Sequence, residues 1–412
     1  MVGADYDRDG DLDLFVGGRV VPGAYPETPW SRLLRNDSTP GKPKFTDLSP
    51  VNPELAKAGL VTGALWSDVD GDGWIDLLVC CEWGPLSLFL NREGRLQDTT
   101  TATGTSDKLG WWRGIAGADL DGDGDLDYVV TNQGLNTPYS ASPEKPELMF
   151  YGDFDGTGKK HIVEAKFEGE TCVPRRGLSC SGGAMPALRK RLKTFHNFAS
   201  STLGDLYGST RLSSSLQLEA NTLASAVFLN EGGGRFTMAP LPDAAQMSTA
   251  QGVVLSDLDG DGHVDALIGH NFYGAQPEIG WLDGGLSLLL RGRGDGTFEA
   301  IEPRASGILV PGGANAVTLA DLNADGRPEL TIAVNSGPLQ VYAEPTAGAN
   351  RMLEVRLVGK PGNPFGAGAR VSVTGGAGKK TQTAEMAAGG GYLSQSEAAL
   401  WFGLGAVAES AP

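Results

Sequence analysis

The chain has 412 residues, 40% of them hydrophobic, enough to bury a core, so disorder throughout is excluded. Its 60 glycines follow no three-residue period, which excludes collagen, and no apolar run approaches the roughly 18 residues of a membrane span. A formal charge of −17, from 50 acidic and 33 basic residues, argues against nucleic acid as a partner.

Along the chain one nine-residue pattern recurs, D-x-D-x-D-G-x-x-D. It occupies Asp5–Asp13, Asp68–Asp76, Asp119–Asp127 and Asp257–Asp265, with looser copies at Asp153–His161 and Asp321–Glu329. These six loops hold 23 acidic residues against four basic ones, −19 in all, so the rest of the chain carries +2. Crowding carboxylates this closely is unfavourable without a cation. Oxygens at positions 1, 3, 5 and 9, with a backbone carbonyl at 7, suit calcium, which accepts six to eight loosely arranged oxygens. The expected ligands are Asp5, Asp7, Asp9 and Asp13; Asp68, Asp70, Asp72 and Asp76; Asp119, Asp121, Asp123 and Asp127; and Asp257, Asp259, Asp261 and Asp265. Asp321, Asn323, Asp325 and Glu329 make a fifth set. Asp153 and Asp155, with Thr157 and His161 at positions 5 and 9, make a weak sixth. Position 6 is glycine in every copy, as a tight turn in a left-handed conformation requires.

EF-hands are excluded, because position 12 holds Val16, Val79, Val130, Ile268 or Ile332 where that loop needs Glu. The runs leaving each loop (LDLFV, IDLLVC, LDYVV, VDALIG, PELTIA) and those entering (GALWSD, GIAGAD, GVVLSD, AVTLAD) read as strands. Each loop is thus the tip of a β-hairpin. Two further strands follow several hairpins: LLRN…KFTDL, LFLNREGRLQD, VFLNEGGGRFTM and LLLRGRGDGTFEAI. Units of four antiparallel strands at roughly 50–65-residue intervals predict the blades of a β-propeller over residues 1–345.

The 104 residues between the fourth and fifth loop starts break this spacing. Leu188, Leu192, Phe195, Ala199, Leu203 and Leu206 recur at helical intervals, predicting a helical insert at about 183–225. Cys172 and Cys180 lie in a Pro/Gly loop where they either pair, in an oxidising compartment, or stay free. Cys80 and Cys81 are adjacent on a strand and point to opposite faces, as two small buried apolar residues.

The loops and their flanking strands resemble the FG-GAP/VCBS repeats of integrin-type seven-bladed propellers. GGRVVPGAYPETPWSRLL, CEWGPLSLFLN, GWWRGIAGADLDGDGDLDYVVTNQGLNT and LPDAAQ are similar to bacterial secreted VCBS-repeat proteins in particular. The tail, NPFGAGARVSV and GGGYLSQSEAALWFGLG, resembles the ASPIC/UnbV domain, which also follows such repeats in cartilage acidic protein. The resemblance implies a propeller of the seven-bladed type with one calcium per loop, then a small β domain at 350–412. It also implies an extracellular, cell-surface or periplasmic setting. The chain opens directly into its first loop and stops soon after FGLG, so a fragment lacking a leader and part of a propeller is expected.

Six residues beyond the last acid of five loops stand Arg19, Glu82, Gln133, Asn271 and Asn335, expected to form a polar ring at one end of the propeller. Trp83, Trp111, Trp112, Asn132, Asn136 and Tyr273 lie near it in sequence, so this end is the candidate face for a glycan or protein ligand. Arg293-Gly294-Asp295 reads as a hairpin turn, and the GGAGKKT run from Gly375 lacks the spacing of a phosphate loop. No catalytic motif stands out; Glu82 and Glu278 are the acids an enzyme acting on acidic sugars or phosphoesters would use. The leading expectation is a calcium-binding adhesion or binding module, with such an enzyme or a structural spacer as alternatives.

Overall fold

A computed structural model describes residues 1–343, 350–375, 380–390 and 392–406. It is mostly β, and among the described residues no helix is long and apolar enough to cross a membrane. The chain divides into two compact units. The larger comprises Met1–Asp107, Trp111–Pro138 and the described residues from Ala224 onward; the smaller comprises Lys108–Gly110 and Tyr139–Leu223.

The larger unit is built from antiparallel sheets whose strands follow one another in sequence. The first holds Val2–Ala4, Asp13–Val16, Arg32–Asn36 and Phe45–Asp47. The second holds Leu60–Ser67, Asp76–Gly84, Leu86–Asn91 and Leu96–Asp98, the third Ile115–Ala118, Asp127–Val130, Ala226–Asn230 and Phe236–Pro240. Ala250–Ser256, Asp265–His270, Leu288–Gly292 and Phe298–Ile301 form the fourth, and Ala314–Ala320, Glu329–Val334 and Gln340–Tyr342 the fifth. Five repeat sheets therefore form among the described residues, short of the seven of the expected type.

Cores lie between successive sheets, which explains why the second strands read as unbroken apolar runs: both faces are covered. In the second sheet Leu77, Val79 and Cys81 pack with Phe15 and Leu33 of the first, while Leu78 and Cys80 pack with Ile115, Tyr128 and Phe228 of the third. Val129 and Val227 meet Ile268 and Leu290, and Leu267 and Leu289 meet Val317 and Ile332. Cys80 and Cys81 thus face opposite ways, as strand alternation requires.

The first strands of the sheets also approach closely, backbone to backbone. A Cβ on Gly63 would lie 2.4 Å from Arg113 O, and one on Gly114 2.5 Å from Gln251 O. Only glycine permits these approaches.

The third sheet is interrupted between its second and third strands, and the smaller unit occupies that interval. The unit has its own four-stranded sheet, ordered Thr171–Pro174, His161–Glu168, Glu147–Gly152, Leu216–Ala220. Five short helices run between Leu178 and Ser214. Their apolar residues Leu188, Phe198, Leu203 and Leu206 join Phe150, Phe154 and Val163 in a separate core. The Asp153 loop therefore belongs to this inserted sheet, which accounts for the irregular spacing around it. Of the expected helical segment at 183–225, the last part is strand and connection rather than helix. Cys172 and Cys180 are free thiols, so the pairing weighed for them is not made.

Near the C-terminus Arg351–Val355 pairs with Leu400–Gly405, and Arg370–Gly375 pairs with Lys380–Glu385. Between these pairs the LSQSE segment seals the open edge of the fifth sheet. Val317, Leu319 and Asp321 donate their N–H groups to Ser394 Oγ (3.2 Å), Ser396 Oγ (3.1 Å) and Glu397 Oε2 (2.9 Å). An edge strand left bare would present those donors to any passing chain. Residues 376–379 of the phosphate-loop lookalike, Gly391 of the GYLSQSE stretch and residues 407–412 of the expected C-terminal domain lie outside the described residues.

Candidate metal centres

Each loop is a ladder of side-chain-to-backbone bonds. The carboxylate at position 1 accepts the glycine N–H at position 6: Gly10 to Asp5 Oδ2 (3.1 Å), Gly73 to Asp68 Oδ2 (3.1 Å), Gly262 to Asp257 Oδ2 (2.7 Å) and Gly326 to Asp321 Oδ2 (2.9 Å). Position 5 accepts from the N–H at position 7, as in Trp74 to Asp72 Oδ1 (2.8 Å) and His263 to Asp261 Oδ1 (2.9 Å). The acid at position 9 opens the second strand and is buried: Asp13 and Asp76 are 0% exposed. One of its oxygens takes the N–H at position 2, from Val69 to Asp76, Leu120 to Asp127 and Leu258 to Asp265, all at 2.9 Å. The other takes the N–H ending the third strand, from Asn36, Asn91, Asn230 and Gly292.

This wiring draws three carboxylates together in four loops: Asp5, Asp7 and Asp13; Asp68, Asp70 and Asp76; Asp119, Asp121 and Asp127; and Asp257, Asp259 and Asp265. In each triad one oxygen per residue lies within 4.8 Å of the others, a separation that oxygens 2.3–2.6 Å from one calcium can adopt. Buried oxygens of Asp5, Asp68 and Asp119 have no hydrogen-bond partner, so the first acid offers one oxygen to its glycine and leaves one for a cation. Burial pushes Asp13, Asp76, Asp127 and Asp257 up to about 7 and Asp265 to about 8, with neighbouring carboxylates adding to the rise. The donor set fits a hard, oxygen-seeking cation, which would tie each hairpin and neutralise its charge.

The position-5 residues Asp9, Asp72, Asp123 and Asp261 are not among these close-set triads. Two triads carry a built-in cation as well, because Arg92 pairs with Asp70 at 2.7 Å and Arg291 with Asp259 at 3.0 Å. In the loop from Asp321, Asn323 Nδ2 donates to Glu329 Oε1 at 2.7 Å, and no carboxylate triad forms with Asp325. In the inserted loop Asp153 and Asp155 are joined by Thr157 and by His161, whose Nε2 is 3.8 Å from Asp155. The backbone N–H of Gly158 holds the Asp153 carboxyl below its usual range.

The third-strand asparagines do more than sequence reading assigned them. Asn91 Nδ2 reaches Tyr6 O in the preceding sheet's loop at 2.7 Å, and Asn230 Nδ2 reaches Val69 O at 2.8 Å. In the fourth sheet Gly292 replaces the asparagine, since a Cβ there would lie 2.0 Å from Val264 O. The bond to the preceding loop is then made by Gly296 N to Leu120 O, at 3.1 Å. Gly296 closes the Arg293-Gly294-Asp295 turn, so that tripeptide is part of the joint between repeats. The repeated N ending LLRN, LFLN and VFLN was the available signal.

Of the candidate ligand-face residues, Glu82 and Trp83 lie at the far end of the second strand Asp76–Gly84, and Arg19, Gln133, Asn271 and Asn335 follow the corresponding strands of other sheets. Arg19 and Glu82 pair at 2.5 Å. Trp83 donates from Nε1 to Tyr25 Oη (2.9 Å) and sits edge-on to Trp111 with centroids 4.9 Å apart. Gln133 faces Arg113, which the sequence reading missed, at 3.4 Å. Asn136 bonds Met247 O, and Tyr273 bonds Pro311 O while packing edge-on to the exposed Trp281. Asn335 is anchored through its backbone N–H to Gly313 O. Five of the candidates are buried: Trp112 is enclosed against Phe228, Asn132 and Asn271 are 0% exposed, and Trp111 and Gln133 are nearly so. Glu278 is exposed in a turn between strands, and among the described residues no contact joins it to Glu82.

Fold and loops together define a chain of tandem acidic β-repeats followed by a small β-rich segment. Residues 68–130 match the FG-GAP-like repeat, and residues 359–411 match ASPIC and UnbV; the chain carries both. No curated protein matches closely enough to stand as a relative. Among solved structures the chain is similar to the V. cholerae biofilm matrix protein Bap1, at 14% identity and a TM-score of 0.28, over 98% of this chain and 58% of that one. It is also similar to the exotype rhamnogalacturonan lyase YesX, at 13% identity and a TM-score of 0.30, over 79% of this chain and 45% of that one. The chain thus spans less than two thirds of either.

Proposed function

We propose that this is a calcium-binding β-propeller of the cell surface or extracellular space, acting as a binding or adhesion module for a protein or glycan. The four aspartate triads carry the reading. Calcium is structural here, in the hairpins rather than at a reacting centre. The side-by-side first strands, and the bonds from the second, third and fourth sheets to the preceding loop, support a propeller arrangement. The FG-GAP-like repeat supports the surface setting.

The test is calcium content. Protein stripped with EDTA and dialysed against calcium is expected to take up about four ions per chain, one per triad. Asp127→Asn should remove one, and the melting temperature should follow calcium far more than magnesium. A stripped protein that takes up no calcium and melts unchanged would sink the proposal.

A further inference from the structure

At the ends of the first strands away from the loops, three of the repeat sheets carry the same irregularity. The register slips between Val61 and Gly63, between Ala250 and Val253, and between Ala314 and Ala316. The residues displaced include Thr62, Gln251 and Asn315, each six positions before the first loop acid. In the third sheet Arg113 holds this position, bonded through its N–H to Thr131 O at 2.9 Å. A bulge re-aims a side chain, and bulges concentrate beside functional sites.

The four residues differ in how they are satisfied. Thr62 Oγ1 donates to Trp112 O (2.7 Å) and approaches Cys80 O. Arg113 Nε and Gln251 Oε1 are both buried without a hydrogen-bond partner, and Gln251 is 1% exposed. Their strands adjoin, as the approach of Gly114 to Gln251 O shows. The Arg113 guanidinium keeps one long contact, to Gln133 at 3.4 Å, and lies 5.3 Å from the centroid of Phe272. Glu82, the carboxylate acting most strongly on it, is already held by Arg19 at 2.5 Å. Among the three charged groups Arg19, Glu82 and Arg113, two arginines thus share a single carboxylate. Burial holds Arg113 below the usual guanidinium range, the mark of a cation lacking a full counter-charge.

We infer that Arg113 and Gln251 form the floor of a binding site for a hydroxylated carboxylate, a sugar acid in chemical class. The unmade Nε–H matches a carboxylate oxygen, and the unmade amide oxygen matches a hydroxyl donor. Trp83 and Phe272, both half-buried, supply aromatic surface for the apolar face of a sugar ring. The inference extends the binding-module reading but uses no residue of the aspartate loops.

The probes are D-glucuronate, D-glucose and acetate, titrated into calcium-loaded protein and followed by tryptophan fluorescence and calorimetry. Glucuronate should bind saturably, and glucose and acetate at least about tenfold more weakly. Arg113→Gln should weaken glucuronate by about tenfold or more, and Gln251→Leu should weaken it too, with calcium content unchanged in both. If Arg113→Gln does not melt cooperatively, Gln251→Leu decides. Absence of glucuronate binding to the wild-type protein overturns the inference, as does binding unaltered by the substitutions. Calcium measured in the same samples separates that failure from a failure of the calcium reading.

Discussion

Replacing Asn91 with alanine tests whether the repeats are stitched together by their third-strand asparagines. The side chain is 0% exposed and makes three bonds: to Tyr6 O (2.7 Å), to Ile75 O (3.0 Å) and from Gly94 N (2.8 Å). At about 1–1.5 kcal/mol for each buried bond lost, Asn91→Ala should cost about 3–4 kcal/mol. Asn36 supplies the internal control. Its amide reaches only Leu12 O within its own loop, at 3.2 Å, and takes Ser38 N at 3.2 Å, in a half-buried setting where water can substitute. Asn36→Ala should therefore cost about 1 kcal/mol. Urea unfolding of both variants in calcium measures the difference, expected at about 2 kcal/mol or more. Equal costs, within about 0.5 kcal/mol, would refute a stitching role and leave these asparagines as ordinary turn residues.

Two further outcomes follow from buried groups. Burial pushes His270 down to about 4, with its Nε2 against Ala245 O. Its neutral form therefore stabilises the fold fully above pH 6.5, and that contribution, about 3 kcal/mol, is lost as pH falls from 6.5 towards 4. Stability curves of calcium-loaded protein should be flatter in this window for His270→Gln, and parallel curves would contradict the assignment. Iodoacetamide should label the exposed Cys180 in native protein, but Cys80 and Cys81 only after unfolding, because burial raises both thiols, Cys81 to about 12. A Cys172–Cys180 linked peptide in the native digest would disprove the free pair.

The repeated hairpin was legible because its chemistry is local. An acid at every second position, a glycine at the sixth and an apolar run afterwards specify the loop and the strand within about a dozen residues. What was not legible came from residues far apart in sequence. Asn91 reads as a turn residue until Tyr6, 85 positions earlier, is seen to lie under its amide. Arg113 sits in an apolar stretch and gains its character from Glu82, Gln133 and Phe272, all distant in sequence. Trp111 and Trp112 read as a pair of surface aromatics, but both are buried, Trp112 against Phe228 and Trp111 against Trp83. The position-5 aspartates show a local effect that the pattern alone does not: in two loops one of their oxygens is engaged by the backbone N–H two residues on.

The interruption of the third sheet sets an order of events for folding. Leu78 and Leu88 of the second sheet pair across ten residues, whereas Tyr128 and Phe228 pair across a hundred. For a flexible intervening chain, that tenfold longer loop adds about 2 kcal/mol of closure entropy. A smaller unit that has already formed its own core is no longer such a chain, since its residues have given up their freedom beforehand. The acidic hairpin at Asp119–Asp127 can thus form early, while completion of its sheet waits on an independent folding event. Substitutions that weaken the core around Phe150, Leu188 and Leu206 should therefore slow assembly of the repeats without touching a single repeat residue.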